Sequence, residues 1–217
     1  MSELPQELIA PSTTITYAPG LPFSLKSQIE MALQEIGLLH RVPKRVHAHV
    51  AQNAKRNEQG SYDPKTTRIE ISRHATDPLG TFVHEYGHLV DDLALHPLRN
   101  EYGSRYDLDY TPLLTACFDS RPVREMVQIA KSMKGRLLRA DTFYLKVVCR
   151  PQEVFARAYA QWICSRSFNL LLQLSLQRRI TARVQIAGRF LRLQWEPDEF
   201  ADIMAEMERL FHIKGLR

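Results

Sequence analysis

Between Asp77 and Leu93 the apolar residues Leu79, Phe82, Val83, Tyr86, Leu89, Val90 and Leu93 recur at helical spacing, which predicts a buried amphipathic helix. Asp77 followed by Pro78 suits its N-cap and first turn. An earlier helix is predicted from Ser24 to Leu39, with Phe23, Ile29, Leu33, Ile36 and Leu39 as its apolar side and Gly37 near its end. Between the two helices the period changes to two. Val46, Ala48 and Val50 alternate with His47 and His49 over Arg45–Ala51, and Ile69 and Ile71 alternate over Arg68–Ser72, which predicts half-buried strands. Polar turns at Asn53–Gly60 and Asp63–Pro64 separate them, so a small sheet, read as a hairpin, precedes the Asp77 helix.

Residues 1–22 carry Pro5, Pro11 and Pro19 and read as an extended arm. His96–Pro112 reads as a surface loop; its tyrosines Tyr102, Tyr106 and Tyr110 alternatively form a lid or substrate wall. Further helices are predicted over Arg121–Met133, Pro151–Arg166, Asn169 into the 180s and Pro197–Phe211. The expected architecture is α+β: one domain over 23–217, with a small sheet, the Asp77 helix and a mainly helical part from about 113.

A chain of 217 residues suits one sizeable core, and 44% hydrophobic with 24% charged residues is ordinary for a globular protein. The net charge of +5 is unevenly spread. From Arg121 to Arg192 fifteen basic residues face three carboxylates, a local +12. The preferred reading is a solvated surface balanced elsewhere, with nucleic acid or another acidic partner as the alternative. Cys117, Cys149 and Cys164 form no C-x-x-C, so neither a disulfide framework nor a thiolate zinc site is expected. The N-terminal stretch lacks the pattern of a secretory signal, and no apolar run reaches membrane-spanning length. The expectation is a cytoplasmic protein with no membrane partner.

Chemistry enters with His84-Glu85-Tyr86-Gly87-His88, an H-E-x-x-H on the Asp77 helix. Positions i and i+4 share a face, so His84 and His88 can grip one metal ion while the Glu85 carboxylate reaches a water beside it. Asp91, seven residues after His84, returns to that side and is expected to orient a ligand histidine. The His47-x-His49 pair reads as two exposed strand residues.

A catalytic zinc site needs a third protein ligand. A third histidine six residues after His88 would fall on Ala94 and is absent. The best candidate is Glu153, in the first turn of a helix opened by Pro151, where the helix dipole favours a carboxylate. Ala156 and Ala160 share its stripe and would let that helix approach the histidine helix closely. Glu101, Asp107, Asp109 and Glu125 compete with it.

His84–Asp92, H-E-Y-G-H-L-V-D-D, resembles the motif of the gluzincin metallopeptidases of the anthrax lethal factor and Pro-Pro endopeptidase type. Glu153–Tyr159, E-V-F-A-R-A-Y, is similar to the glutamate helix of that group and to metallopeptidase-like domains of phage and mobile elements. The resemblance covers these two segments only. It implies a zincin-like fold, zinc held by His84, His88 and Glu153, and Glu85 as general base. The family places an oxyanion-facing tyrosine seven residues before its glutamate ligand. Here that position is Lys146; the nearest tyrosine, Tyr144, is favoured for the role, with Lys146 or a tyrosine of the 102–110 loop as the next candidate.

The expected function is a zinc metalloendopeptidase acting on a protein or peptide, with an extended substrate paired to an edge strand near Arg68–Ser72. The alternative is a non-catalytic zincin-like protein that binds nucleic acid or an acidic partner through its basic half.

Overall fold

The computed structural model describes residues 13–41, 46–56, 58–95, 101–133 and 135–217. Four strands form one sheet: β1 (Thr13–Tyr17), β2 (Val46–Asn53), β3 (Gly60–Asp63) and β4 (Arg68–Ser72), in the order β1-β2-β4-β3. β1 runs parallel to β2 and β2 to β4, whereas β3 and β4 form an antiparallel hairpin. A parallel pair needs a crossover, and α1 (Phe23–Leu39) makes the one from β1 to β2. α1 buries Leu25, Ile29, Ala32 and Ile36, while Phe23, assigned to its apolar side, is exposed.

Three expectations change here. The strands over Arg45–Ala51 and Arg68–Ser72, read as a hairpin, pair in parallel, and the hairpin is made by β3 and β4 instead. Of the arm 1–22, residues 1–12 lie outside the described residues, but Thr13–Tyr17 is an edge strand of the sheet, so the folded domain includes residues well before 23. The run Thr-Thr-Ile-Thr-Tyr is β-branched and aromatic, the composition that favours a strand. And β4 is not an edge: it lies between β2 and β3, and the outer strand is β3. Arg45 is outside the described residues.

The rest of the chain is mainly helical. α2 (Pro78–Leu89) continues into a π-helical turn over Val90–Ala94. Residues 96–100 of the expected loop are not described; after them come the short α3 (Gly103–Tyr106), a 3₁₀ turn at Leu108–Tyr110 and α4 (Thr111–Asp119). Tyr110 is fully buried, and the absence of a side chain on Gly103 makes room for its ring. α5 (Arg121–Ser132), α7 (Pro151–Arg166), α8 (Leu170–Thr181) and α9 (Pro197–Ile213) match the expected helices. α6 (Arg139–Val148) and the hairpin of β5 (Arg183–Ile186) and β6 (Arg189–Arg192) are additions. Among the described residues no helix is long and apolar enough to cross a membrane.

α7 is the axis of the core. Every residue from Val154 to Cys164 is buried, packed against α2 on one side and α9 on another. Tyr159, Trp162 and Phe211 stack around His40, whose ring lies 4.5 Å from that of Phe211. The fold thus holds two helices rigidly side by side, and the motif residues sit where they touch.

Candidate metal centre

The start of α2 is fixed by Asp77. Its carboxylate accepts from the Gly80 amide at 3.1 Å, and its other oxygen accepts from the Ser175 hydroxyl at 2.6 Å and Arg179 Nε at 2.8 Å. α8 therefore clamps the helix that carries the histidines. Burial opposes the Asp77 charge, but Arg179 and these hydrogen bonds outweigh it and lower its pKa. Any side chain on Gly80 would run into Asp77, Ser175 and Arg179.

One turn and two turns further, His84 and His88 project toward α7. His84 Nε2 lies 3.5 Å from Glu153 Oε2, and His88 Nε2 lies 3.4 Å from Glu153 Oε1. One donor atom from each of the three residues falls within 4.8 Å of the others. α7 brings Glu153 there as expected, from a first turn opened by Arg150 and Pro151. A Cβ added to Gly87 would stand 3.2 Å from Ala156 Cα, so a residue without a side chain faces one with a small side chain at the crossing.

The competing carboxylates lie elsewhere. Asp107 and Asp109 both accept from Lys214 Nζ, Glu125 pairs with Arg121, and Glu101 is exposed. His47 is exposed, and the His49 Nδ1 lies 3.1 Å from the Thr16 hydroxyl. Among the described residues neither joins a metal-capable group.

The donor set suits a cation. Two imidazole nitrogens and one carboxylate converge in a largely buried place. Burial holds His84 down at about 4, so it is neutral at pH 7 with a lone pair to give. Burial also opposes charge on His88, but Glu153, Glu85 and Asp91 overcome it and push it up to about 9. Glu153 is held well below the usual carboxylate range; burial acts against this, and the two histidines override it. The carboxylates around His88 thus favour positive charge at this point, which a bound metal ion satisfies in place of a proton.

Glu85 is buried beside the sheet. Its Oε1 would lie 3.1 Å from a Cβ on Gly60, the first residue of β3, so the outer strand and the carboxylate meet edge to edge. Burial, reinforced by Glu153, raises its pKa to about 7, against the opposing charges of His88 and Arg179.

Behind the histidines, the π-helical turn buries Asp91 and Asp92. Asp91 does not orient a ligand histidine by hydrogen bonding. Its oxygens accept from the Ser104 amide at 2.8 Å and the Ser104 hydroxyl at 2.6 Å, and the Nδ1 atoms of His84 and His88 have no hydrogen-bond partner among the described residues. The physical reason is the π turn: Leu95 donates to Val90, five residues back, so the spacing from His84 no longer follows the α-helical period. Burial lifts Asp91 to about 6. Asp92 accepts from the Tyr62 hydroxyl of β3 at 2.8 Å.

The phenols divide. Tyr102 packs edge-on to His88, with ring centres 5.8 Å apart, and the charged groups around its hydroxyl include Asp92, Asp91 and Glu153. Tyr144 is half-buried on α6, where burial raises its pKa, Arg157 is its leading charged neighbour and Glu153 follows. Lys146 is exposed. The pattern of residues 96–112 offered Tyr102 only as one of three loop tyrosines; its place against His88 follows from Ser104 anchoring on Asp91 and from Arg105 Nε donating to Gln152 at 2.9 Å.

The basic half is partly neutralised within the fold. Arg166 pairs with Glu208, Arg179 with Asp77, and Arg192 with Glu196 and Glu199. Buried Arg157 donates to the carbonyls of Val148 and Leu193 and lies over the Trp195 ring.

Comparison of the chain with known protein families, with curated proteins and with solved structures finds no match.

Proposed function

We propose that the chain is a zinc-dependent peptidase of the zincin type. The observation that carries this reading is the convergence of His84 Nε2, His88 Nε2 and the Glu153 carboxylate, with the Glu85 carboxyl group on the next residue of the same helix. The residues that would hold the metal are His84, His88 and Glu153. A zinc ion there supplies Lewis acidity, bringing the pKa of water down to about 7 and polarising a carbonyl.

The chain's own groups do the rest. Glu85 takes the proton of the attacking water and delivers it to the leaving amine. Burial raises the pKa of Glu85, which the charge of a bound metal would oppose, and a carboxyl group poised between the two can both accept and return the proton. The outer strand β3 begins at Gly60, against Glu85, and presents the backbone edge along which an extended peptide can add as a further strand. A phenol holds its proton at neutral pH and can donate to the oxygen on which charge develops. Tyr102, packed on His88, joins Tyr144 as a candidate for this donor.

The test is hydrolysis of an unfolded protein substrate by the zinc-replete chain and by Glu85→Gln. The wild type cleaves, chelation abolishes cleavage, and Glu85→Gln is inactive while retaining metal. Full activity in Glu85→Gln removes the general-base role.

A further inference from the structure

The outer face of α6 is not used by the metal centre. Arg139, Phe143 and Lys146 recur at i, i+4 and i+7 and form one exposed stripe, and Arg150 follows where the helix ends. Phe143 is 67% exposed, and Leu138, which precedes the helix, is 73% exposed. The inner face is different in kind: Leu145 is buried and Tyr144 half-buried against the core.

Part of the basic half is neutralised by carboxylates, and this stripe is not. Arg121, Arg166, Arg179 and Arg192 have carboxylate partners. Among the described residues Arg139, Lys146 and Arg150 make no ion pair. Asp141, the one carboxylate of α6, lies two residues from Arg139 and so on another side of the helix. A large aromatic and a leucine are therefore held in water beside cations that make no ion pair among the described residues, on a helix anchored to the core by Leu145.

We propose that this face docks on an anionic lipid surface, with Phe143 and Leu138 entering the headgroup boundary and Arg139, Lys146 and Arg150 meeting the phosphates. The chemistry discriminates among acidic partners. A single-stranded nucleic acid gives Phe143 a base to stack on but leaves Leu138 in water. A lipid boundary takes both apolar side chains and rewards the surrounding cations. Two apolar residues are too few to hold on neutral lipid, so the attachment depends on negative headgroups and is a peripheral contact, not a span.

The experiment is sedimentation of the purified full chain with phosphatidylcholine vesicles, with and without phosphatidylserine, at low salt. The chain is expected to sediment with the anionic vesicles only. Leu138→Ser with Phe143→Ser should abolish this. Lys146→Ala with Arg150→Ala should weaken it by about 25-fold, roughly fivefold for each cation removed. Arg178→Ala with Arg189→Ala, two exposed arginines outside the stripe, should leave it unchanged. All six positions are exposed, and unaltered melting temperatures confirm that folding is intact. No sedimentation with anionic vesicles overturns the proposal. So does sedimentation insensitive to Leu138 and Phe143, an equal loss in the Arg178 and Arg189 variant, or Phe143-dependent capture of oligothymidylate without vesicle binding.

Discussion

A Cβ on Gly87 would stand 3.2 Å from the Cα of Ala156 and 2.9 Å from Cδ1 of Tyr159. The histidine helix and the glutamate helix pack together here, between His84 and His88 on one side and just after Glu153 on the other. The distance between ligands is therefore set by a missing side chain. Helix propensity alone would favour alanine at this position by about 1 kcal/mol. Overpacking costs about 1–3 kcal/mol, and against backbone and a buried aromatic ring that cannot swing away it falls in the upper part of that range, about 2–3 kcal/mol. Gly87→Ala is expected to be destabilised by about 1–2 kcal/mol net, seen as a lower melting temperature, and to bind metal more weakly. An unchanged or higher melting temperature contradicts this packing argument.

The clamp on the start of α2 makes a second prediction. Asp77→Ala removes the N-cap and leaves Arg179 and Ser175 without their acceptor. The cap is worth about 1 kcal/mol, and stranding a partly buried arginine adds to it, so a loss of about 2–3 kcal/mol is expected in urea denaturation. Asp77→Asn keeps an acceptor for the Gly80 amide and should fall between. Equal stability of all three proteins would show that α8 does not brace the histidine helix.

His40 governs a pH dependence away from the metal centre. Its Nδ1 lies 3.0 Å from the Arg41 carbonyl, which can only accept, so Nδ1 carries the proton and Nε2 accepts from the Tyr159 hydroxyl at 2.7 Å. Burial, against the help of that carbonyl, lowers its pKa from 6.5 to about 4. The unfolded chain takes up a proton at this residue below pH 6.5, whereas the folded chain does so only below about 4. The stability contributed by neutral His40 is fully present above 6.5 and is lost as pH falls from there to about 4, a change of at most about 3 kcal/mol. Denaturation midpoints at pH 7 and pH 4.5 should separate more in the wild type than in His40→Gln. An identical pH response in the two proteins would falsify the assignment.

Tyr102 and Tyr144 can be told apart kinetically. Tyr102→Phe keeps the ring on His88 and removes only the hydroxyl. On the proposed mechanism it lowers turnover by about 10²-fold, the size of one lost oxyanion donor, with metal content unchanged. Tyr144→Phe, whose hydroxyl has Arg157 as its leading charged neighbour, should cost far less. The reverse order of effects would return the role to α6.

The site was largely legible because its signals are local and periodic. His84 and His88 need only the helical period; Glu153 stands out from Glu101, Asp107, Asp109 and Glu125 through its proline-opened first turn and Ala156 and Ala160 on its stripe, once the two histidines call for a third ligand. Asp91 was misplaced because the helix widens into a π turn after Leu89, and nothing in Val-Asp-Asp-Leu-Ala announces that change of period. β3 escaped because Gly-Ser-Tyr-Asp is short, polar and half-exposed, so it looked like turn while forming the outer strand beside Glu85. Tyr102 could not be chosen from Tyr106 and Tyr110, since its position depends on Ser104 and Arg105 finding Asp91 and Gln152. α6 escaped because its outward face mixes Phe143 with cations, which blurs the division into an apolar and a polar side. His40 carries no sequence signal; its burial comes from the packing of α1, α7 and α9 around it.

The most direct test of the proposed zinc centre is metal content. After zinc-replete purification and extensive dialysis, elemental analysis should find about one zinc per chain in the wild type and in Glu85→Gln, as a three-ligand site predicts. His88→Ala and Glu153→Ala should retain essentially none. A wild-type chain that emerges free of zinc, or a Glu153→Ala chain that holds it as tightly as wild type, contradicts the assignment of His84, His88 and Glu153 as one metal site.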